Sequence, residues 1–454
     1  MTNNPQKILK AVFGYDSFRA PQGEIINSVM SGKRTLALLP TGQGKSLCYQ
    51  IPGLALTGLT IVISPLIALM KDQVDVLHKK GIAAHYVNST LSRSEVTKKY
   101  QDIEAGRCQF LYVAPERLLT KRFWQLMQDC PPDFIAVDEA HCFSTWGHDF
   151  RPHYRDIPRF IDKLPNQPKL ALFTATASQK VVEDLQLSFK ITPASTFRGS
   201  FFRRNLFITT RRFTMHSQRF LYLVYLLQRV FVNQSGLIYV ATRKQAEMLY
   251  QAILKLDLSQ QLTIDYYHAG RTNEEKVVIQ EKFINDDLKV VIATNAFGMG
   301  IDKANIRFVI HCQMPSSLEN YVQEIGRAGR DGQFSWCELL FHPHDVEVHQ
   351  RMQTDKTRKK ARLSLSKMID YVFKEQCHHQ KILSYFDDPL WFETGCARCE
   401  YCSPFSQRFL KFMKTKLSHR ANLPTFVAQQ QLILDQTEPE HLAELLGVGL
   451  GMLQ

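Results

Sequence analysis

Mostly apolar runs of four residues recur along the first part of the chain, and a polar or glycine-rich cluster follows each of them. Short runs bounded by turn residues are typical of parallel strands buried on both faces. Five such runs occupy residues 35–38, 60–63, 110–113, 134–137 and 170–173. Helical stretches alternate with them, so the pattern predicts a doubly wound parallel sheet.

The same alternation begins again after residues 200–214, SFFRRNLFITTRRFT, and we place a domain boundary inside that segment. Four further runs occupy residues 237–240, 264–267, 290–293 and 308–311. The most apolar run, 220–232, contains Gln228 and Arg229 and is shorter than the roughly 20 residues of a membrane span. We interpret it as a buried helix of a second α/β unit.

A glycine-rich loop, LPTGQGKS at residues 39–46, lies between the first strand and a helical stretch. In that context Gly42 and Gly44 let backbone N–H groups approach phosphate oxygens, Lys45 meets the β and γ phosphates, and the Ser46 hydroxyl can ligate Mg²⁺. Leu39 replaces the first glycine of the strict phosphate-loop pattern, and the variant resembles superfamily 2 helicases and translocases. The alternative is a surface turn that carries a lysine.

An acidic pair, Asp138 and Glu139, opens the string DEAH directly after the run 134–137. The carboxyl ends of parallel strands are where open α/β sheets bind ligands. Asp138 is therefore placed to hold Mg²⁺, and Glu139 to orient or deprotonate the water that attacks a γ phosphate. Alone, such a pair is as often a helix N-terminal charge; the phosphate loop favours catalysis.

Aromatic and basic residues follow this pair within a dozen positions. Trp146, Phe150 and Arg151 lie among glycine, histidine and proline, a composition too polar and turn-rich for a core. Base stacking on an aromatic ring and backbone pairing by arginine suit sequence-independent binding of a nucleic-acid strand. A core position for Trp146 is the alternative.

The second α/β unit carries no second phosphate loop, but it contains QEIGRAGRDG at residues 323–332. Arg327 and Arg330 are three apart, and on a helix they would share one face and point both guanidinium groups into a cleft. This pattern suggests one lobe that holds ATP and a second lobe that supplies arginines. Such an arrangement is typical of motor proteins that hydrolyse ATP only when the two domains close.

The overall charge favours a polyanionic partner. The formal net charge is +13 and the pI is near 9.2, which points to nucleic acid before membrane, although an ordinary basic surface is the alternative. The N-terminal MTNNPQKILK lacks the apolar core of a signal peptide. Ten cysteines without such a signal indicate reduced thiols in a cytosol-like compartment.

Four of these cysteines are clustered, at Cys377, Cys396, Cys399 and Cys402. Four thiolates in so short a span satisfy a tetrahedral Zn²⁺ with no open position, so the site should be structural. An iron–sulfur cluster is the rival, because C-x-x-C-x-x-C also occurs in ferredoxin-like sites.

Nearly all of residues 10–402 resembles the RecQ DNA helicases of superfamily 2. The resemblance rests on FGYDSFRAPQ at 13–22, the phosphate loop, the DEAH box with its aromatic-rich loop, FGMGID at 297–302, QEIGRAGRDG, and ILSYF at 382–386. It implies zinc at the cysteine cluster, and recognition of adenine by Tyr15, Arg19 and Gln22.

The resemblance also implies roles for the remaining motif residues, with ATP, Mg²⁺ and Zn²⁺ as cofactors. The catalytic set is Lys45, Asp138, Glu139, Arg327 and Arg330. The set that binds ATP is Tyr15, Arg19, Gln22, Thr41, Gly42, Gly44, Lys45, Ser46 and Gln323. Ser46 and Asp138 would hold Mg²⁺, whereas Trp146, Phe150 and Arg151 would contact single-stranded DNA and couple it to the ATP site.

Four regions are expected. They are a first RecA-like lobe at 1–205, a second RecA-like lobe at 206–340, a small helical zinc-binding subdomain at 341–405, and a short helical tail at 406–454 that faintly resembles a shortened helicase-and-RNase-D C-terminal element. Longer relatives continue into a winged-helix domain of about a hundred residues. Only 52 residues follow Cys402, so we expect no winged helix.

The function expected from these features is that of an ATP-dependent DNA helicase, moving 3′ to 5′ as its relatives do, in recombination and repair. Its partners would be single-stranded and forked DNA and a single-strand-binding protein. We expect no membrane partner. The expected location is the cytoplasm, with the nucleoid if the source is bacterial. The main alternative function is a DNA-binding switch or remodeller that uses ATP without processive unwinding. An RNA helicase is a further alternative.

Overall fold

The computed structural model describes residues 4–65, 67–147, 150–256, 262–297, 303–353 and 358–402. The chain forms two compact units. The first runs to Phe201 and includes Phe386–Asp388, and the second comprises Phe202–Tyr385 and the chain from Pro389 onward. The expected tail at 406–454 lies outside the described residues.

The first unit contains a seven-stranded parallel sheet in the order β3-β4-β2-β5-β6-β1-β7. Its strands are β1 (Thr35–Leu38), β2 (Thr60–Ile63), β3 (Ala84–Val87), β4 (Phe110–Val113), β5 (Phe134–Val137), β6 (Lys169–Thr174) and β7 (Thr196–Arg198). Its helices are α1 (Pro5–Ile8), α2 (Gln22–Met30), α3 (Leu47–Ala55), α4 (Ile67–Lys79), α5 (Arg93–Glu104), α6 (Lys121–Asp129), α7 (Ile157–Asp162) and α8 (Gln179–Phe189).

Both faces of this sheet are buried, which confirms the doubly wound prediction. Ile135 and Val137 of β5 belong to one apolar cluster, and Phe134 and Ala136 to another. Successive side chains of a strand point to opposite faces, so each central strand feeds both clusters. Covering by helices on both sides explains why these strands appear in the sequence as unbroken apolar runs.

The second unit contains a six-stranded parallel sheet in the order β10-β11-β9-β12-β13-β8. Its strands are β8 (Leu206–Arg212), β9 (Gly236–Tyr239), β10 (Ile264–Tyr267), β11 (Val290–Ala293), β12 (Phe308–His311) and β13 (Ser335–Phe341). Its helices are α9 (His216–Tyr225), α10 (Arg243–Lys255), α11 (Asn273–Ile284), α12 (Leu318–Ile325), α13 (His344–Arg351), α14 (Arg358–Phe373) and α15 (His378–Tyr385).

One expectation about this unit is wrong. Arg327 and Arg330 do not lie on a helix, because α12 ends at Ile325 and Gly326 caps it. The backbone then turns, and Gly329 has a φ of +56°, a conformation that favours glycine. The two arginines therefore lie in consecutive turns, and the spacing of a helix face does not apply to them. The run 220–232, by contrast, is helical through Val230, with α9 continuing into a π-helical turn at Leu226–Val230.

No helix among the described residues is both long enough and apolar enough to span a membrane.

Candidate functional site

The phosphate loop and the acidic pair meet at one edge of the first sheet. β1 and β5 are parallel and separated by β6, so the segments that leave their carboxyl ends lie at the same edge. Gly42 and Gly44 have φ values of +86° and +74°, a backbone conformation that residues with a side chain rarely adopt. The Lys45 ammonium lies 2.9 Å from an Asp138 carboxylate oxygen and 2.8 Å from a Glu139 oxygen. One cation thus bridges both carboxylates.

The charges of this cluster depend on one another. Burial opposes the charged form of Lys45, but Asp138 and Glu139 outweigh it, so the pKa of Lys45 lies above its usual value. Burial raises the pKa of Asp138. Burial would also raise the pKa of Glu139, but Lys45 and His141 outweigh it and hold that pKa well below its usual range. Glu139 is therefore ionised at neutral pH and paired with Lys45, a cation that a bound phosphate would also attract.

His141 connects Glu139 to the end of β6. Its Nδ1 lies 2.9 Å from the Thr174 hydroxyl and 3.3 Å from a Glu139 oxygen. The Thr174 hydroxyl donates to the Thr176 carbonyl at 3.1 Å, so it is placed to accept from His141. The end of β6 is thereby linked to the carboxylate that is expected to activate water.

Residues ahead of the phosphate loop brace it. The Gln22 amide nitrogen donates to the Gln43 carbonyl at 2.8 Å, and its oxygen accepts from the Arg19 N–H at 2.9 Å. A Cβ on Gly44 would collide with the Gln22 side chain. Tyr15 is 51% exposed, so its ring is accessible for stacking. Gln22 thus supports the loop in addition to any contact it makes with a base.

The rest of the loop lies on the same edge. Thr41 is half-buried in the turn after β1, and Ser46 immediately precedes α3. The Gln43 side chain donates to the Ser200 carbonyl at 2.6 Å, near the end of the first unit. This tie joins the phosphate loop to the segment that leads into the second unit.

The aromatic-rich loop presents its aromatic side chains to solvent. Trp146 is 57% exposed and Phe150 is 38% exposed, which excludes a core position for Trp146. The Arg151 guanidinium donates to the Pro65 carbonyl at 2.9 Å, beyond the end of β2. Residues 148 and 149 lie outside the described residues. The exposed rings and Arg151 therefore occur together at the edge where the strands end.

The ends of this loop are fixed to the catalytic strand. The buried Tyr154 hydroxyl donates to the Asp138 carbonyl at 2.8 Å, and the Arg151 N–H donates to the Cys142 carbonyl at 2.9 Å. Gly147 packs so closely that a Cβ there would collide with the His141 carbonyl oxygen. A displacement of the loop would therefore be transmitted to the backbone of the DEAH residues.

In the second unit, the turns after α12 are held by residues upstream of β8. The Arg203 guanidinium donates to the Ala328 carbonyl at 3.1 Å and the Gly329 carbonyl at 2.8 Å, and the Asn205 amide donates to Gly329 at 2.8 Å. Arg327 is buried, whereas Arg330 and Gln323 are half-buried. Their relation to Lys45 stays a prediction.

The four clustered cysteines converge in the second unit. Their sulfur atoms lie within 4.8 Å of one another, and those of Cys377 and Cys399 are 4.0 Å apart. Four thiolates around one zinc ion would lie about 3.8 Å apart for Zn–S bonds of ~2.3 Å. An iron–sulfur cluster would spread the set further, because its four thiolates are shared among two or four different iron atoms. The donor set and its spacing fit zinc.

Backbone contacts prepare this centre and fasten it to the sheet. The N–H groups of Gln380 and Arg398 lie 3.4 and 3.2 Å from the sulfur atoms of Cys377 and Cys396. Cys399 forms a parallel bridge with Ile208 of the edge strand β8. A metal at this site would therefore order one edge of the second sheet.

Comparisons with known proteins agree with this geometry. A DEAD/DEAH box helicase model matches residues 19–185, a helicase conserved C-terminal domain model matches 218–332, and a RecQ zinc-binding model matches 343–403. The solved DNA-bound structure of the DUF1998 helicase MrfA superposes with a TM-score of 0.63 at 18% identity, covering 76% of this chain and 52% of that one. That likeness supports the fold.

Relatives with higher identity decide the family. The ATP-dependent DNA helicase RecQ of Bacillus subtilis is 40% identical over 408 residues, which is 89% of this chain and 67% of that protein. This chain belongs to the RecQ helicase family. The RecQ protein of Pasteurella multocida is 38% identical over 401 residues, 87% of this chain and 61% of that protein. The chain thus spans roughly three fifths to two thirds of these RecQ relatives.

Within this RecQ chain, several residues of the site were not singled out from sequence. His141 and Thr174 connect the acidic pair to β6, Tyr154 anchors the aromatic-rich loop, and Arg203 holds the arginine turns. The sequence does offer signals for the first two, because His141 is the fourth letter of the DEAH string and Thr174 ends the apolar run of β6. For Tyr154 and Arg203 the contacts are long-range, and nothing local in the sequence indicates them.

Proposed function

We propose that this chain is an ATP-dependent DNA helicase that moves 3′ to 5′ along a single strand and separates duplex DNA in recombination and repair. Single-stranded and forked DNA would be its substrates, and a single-strand-binding protein a partner. A cytoplasmic location, at the nucleoid in a bacterial source, follows from that role.

The ATP half of the proposal rests on the cluster around Lys45. Lys45 would exchange its carboxylate partners for the β and γ phosphates, and Ser46 and Asp138 would hold Mg²⁺, which supplies charge neutralisation at the phosphates. Glu139, released from Lys45 and still held by His141, would accept a proton from the attacking water. Its ionised state in the nucleotide-free protein is the state a base requires.

The observation that carries the DNA half is the exposed, anchored aromatic-rich loop. Trp146 and Phe150 offer ring faces that accept any base, which suits sequence-independent binding of a strand. The Tyr154 hydroxyl joins the far end of the loop to Asp138 itself. A base on Trp146 would therefore shift the same backbone that positions Glu139, which couples strand binding to hydrolysis.

The second unit would complete the reaction. We assign Arg327 and Arg330 to the stabilisation of charge that develops on the transferred phosphate, with Gln323 on the nucleotide. The turns braced by Arg203 would keep these guanidinium groups oriented before the lobes close. This arrangement restricts full hydrolysis to the closed state.

Strand separation on forked substrates tests the proposal. Substrates carry a 3′ or a 5′ single-stranded tail, and Lys45→Ala serves as the inactive control because it lacks the phosphate-binding cation. We expect ATP-dependent unwinding of the 3′-tailed fork alone. Unwinding of the 5′-tailed fork would overturn the polarity, and ATP turnover by Lys45→Ala would overturn the ATP site.

ATP turnover, measured beside strand separation, distinguishes two rival functions. DNA-stimulated hydrolysis without strand separation on either fork would identify a switch or remodeller. Stronger stimulation by single-stranded RNA than by DNA of the same sequence would identify an RNA helicase.

A further inference from the structure

A lysine outside the recognised motifs lies over the exposed tryptophan of the aromatic-rich loop. The Lys180 ammonium is 5.0 Å from the centroid of the Trp146 ring. We propose that Lys180 is a further DNA-contact residue that forms a single nucleotide-binding element with Trp146, in which the indole takes a base and the ammonium takes a neighbouring backbone phosphate. The inference rests on the proposed function and names a residue that no motif supplies.

Side-chain contacts of α8 place Lys180 beside the loop. Lys180 is the second residue of α8, and α8 packs against the turn Ala140–Phe143 that follows Glu139. The Phe143 ring meets Phe189 of α8 edge-to-face with centroids 5.0 Å apart. Arg155 lies 4.2 Å over the Phe143 ring and pairs with Asp184 of α8 at 3.2 Å. The helix that carries Lys180 is therefore fastened to the segment that carries Trp146.

The charge of Lys180 is available to a ligand. Among the described residues it forms no ion pair, and its side chain is exposed. Lys190 at the other end of α8 does have a carboxylate partner, Asp162 at 3.9 Å. A cation over an exposed ring gains only about 0.5–1 kcal/mol, so a phosphate can replace the ring as its partner at little cost. The first turn of α8 contains no acidic residue that would compete.

The two side chains match the two halves of a nucleotide. A base stacks on an aromatic face whatever its identity, and the backbone phosphate beside it needs a cation. Trp146 alone supplies the first contact. Lys180 supplies the second within reach of the same ring, so it would stabilise a stacked base by neutralising the adjoining charge.

Salt dependence of binding to single-stranded DNA tests this assignment. Binding of a labelled oligo(dT) is measured by fluorescence anisotropy without nucleotide, from about 50 to 300 mM NaCl, for the full chain and three variants. Lys180→Gln removes the charge and Lys180→Arg retains it. Lys190→Gln removes a charge at the residue that follows the other end of α8, and thermal unfolding checks that each variant is folded.

For Lys180→Gln we expect the slope of log Kd against log salt to fall by about 0.7, the value for one phosphate contact on a single strand. Affinity near 100 mM NaCl should fall about threefold, as for the loss of one exposed charge contact. Lys180→Arg should restore both quantities, and Lys190→Gln should match the wild type.

Other outcomes overturn the inference in distinguishable ways. An unchanged slope in Lys180→Gln, with binding still weakened by Trp146→Ala, would refute the role of Lys180 and leave the helicase proposal standing. An equal change in Lys190→Gln would show a general effect of charge and also refute it. Wild-type protein that does not bind single-stranded DNA would refute both proposals.

Discussion

Replacing Lys45 with methionine removes the cation between two buried carboxylates while keeping a side chain of similar length. Removing one partner of a buried ion pair costs about 3–5 kcal/mol, because the remaining charge loses both water and its counter-ion. Lys45 and Glu139 keep 17% and 19% of their side-chain exposure, so we expect the lower end of that range, about 3 kcal/mol. For a unit of this size that is a fall in Tm of roughly 6–12 °C.

The loss should depend on pH. In the wild type, burial opposes ionisation of Glu139, but Lys45 and His141 hold its pKa well below its usual range, so Glu139 stabilises the fold above its unfolded pKa. Without Lys45, burial and mutual repulsion raise the pKa of the carboxyl pair. A raised carboxyl pKa favours the folded state only while the group is protonated, so the destabilisation of Lys45→Met should grow from about pH 5 to pH 8.

Calorimetry without nucleotide or Mg²⁺ measures this difference, because either ligand would replace the missing charge interactions. Lys163→Met is the control, since Lys163 is exposed on the same unit. A Tm difference between the wild type and Lys45→Met that stays constant with pH, or that is larger near pH 5 than near pH 8, would refute the electrostatic account.

Two further predictions concern the metal centre and the aromatic-rich loop. Cys399→Ser should lower bound zinc, measured by atomic emission, from about one ion per chain. It should also lower the Tm of the second unit by at least about 5 °C, because Cys399 joins the metal centre to β8. Cys130→Ser is the control, and full zinc content in Cys399→Ser would contradict the prediction. Gly147→Ala should lower DNA-stimulated ATPase about tenfold, because the new Cβ meets the backbone oxygens of His141 and Ser144 and displaces the loop. Gly23→Ala, where a Cβ finds ordinary contacts, is the control, and equal rates in the two variants would count against the coupling role of the loop.

Most of the strands that could be predicted from sequence are buried on both faces, and their apolar runs need no partner to be recognised. β10 is an exception, because it is an edge strand with partly exposed side chains. The strands that were not predicted have other residue patterns. β3 and β7 are edge strands with partly exposed side chains, and β8 is a basic edge strand. β13 contains the fully buried Glu338, which is paired with Arg211 at 2.7 Å and with the Tyr222 hydroxyl at 2.8 Å. A buried carboxylate interrupts an apolar run, and only its long-range partner shows why it is tolerated.

The difference between local patterns and long-range contacts also explains how much of the site could be predicted from sequence. Parallel topology alone requires the phosphate loop after β1 and the carboxylates after β5 to share an edge, so their association follows from the sequence. The bridge made by Lys45, the Tyr154 anchor and the bracing of the arginine turns depend on contacts between residues 16 to 126 positions apart. Local patterns carry no information about such pairs. The helix assumed for Arg327 and Arg330 failed for a related reason: its glycines end the helix, and Arg203 and Asn205 hold the backbone in the turns that replace it.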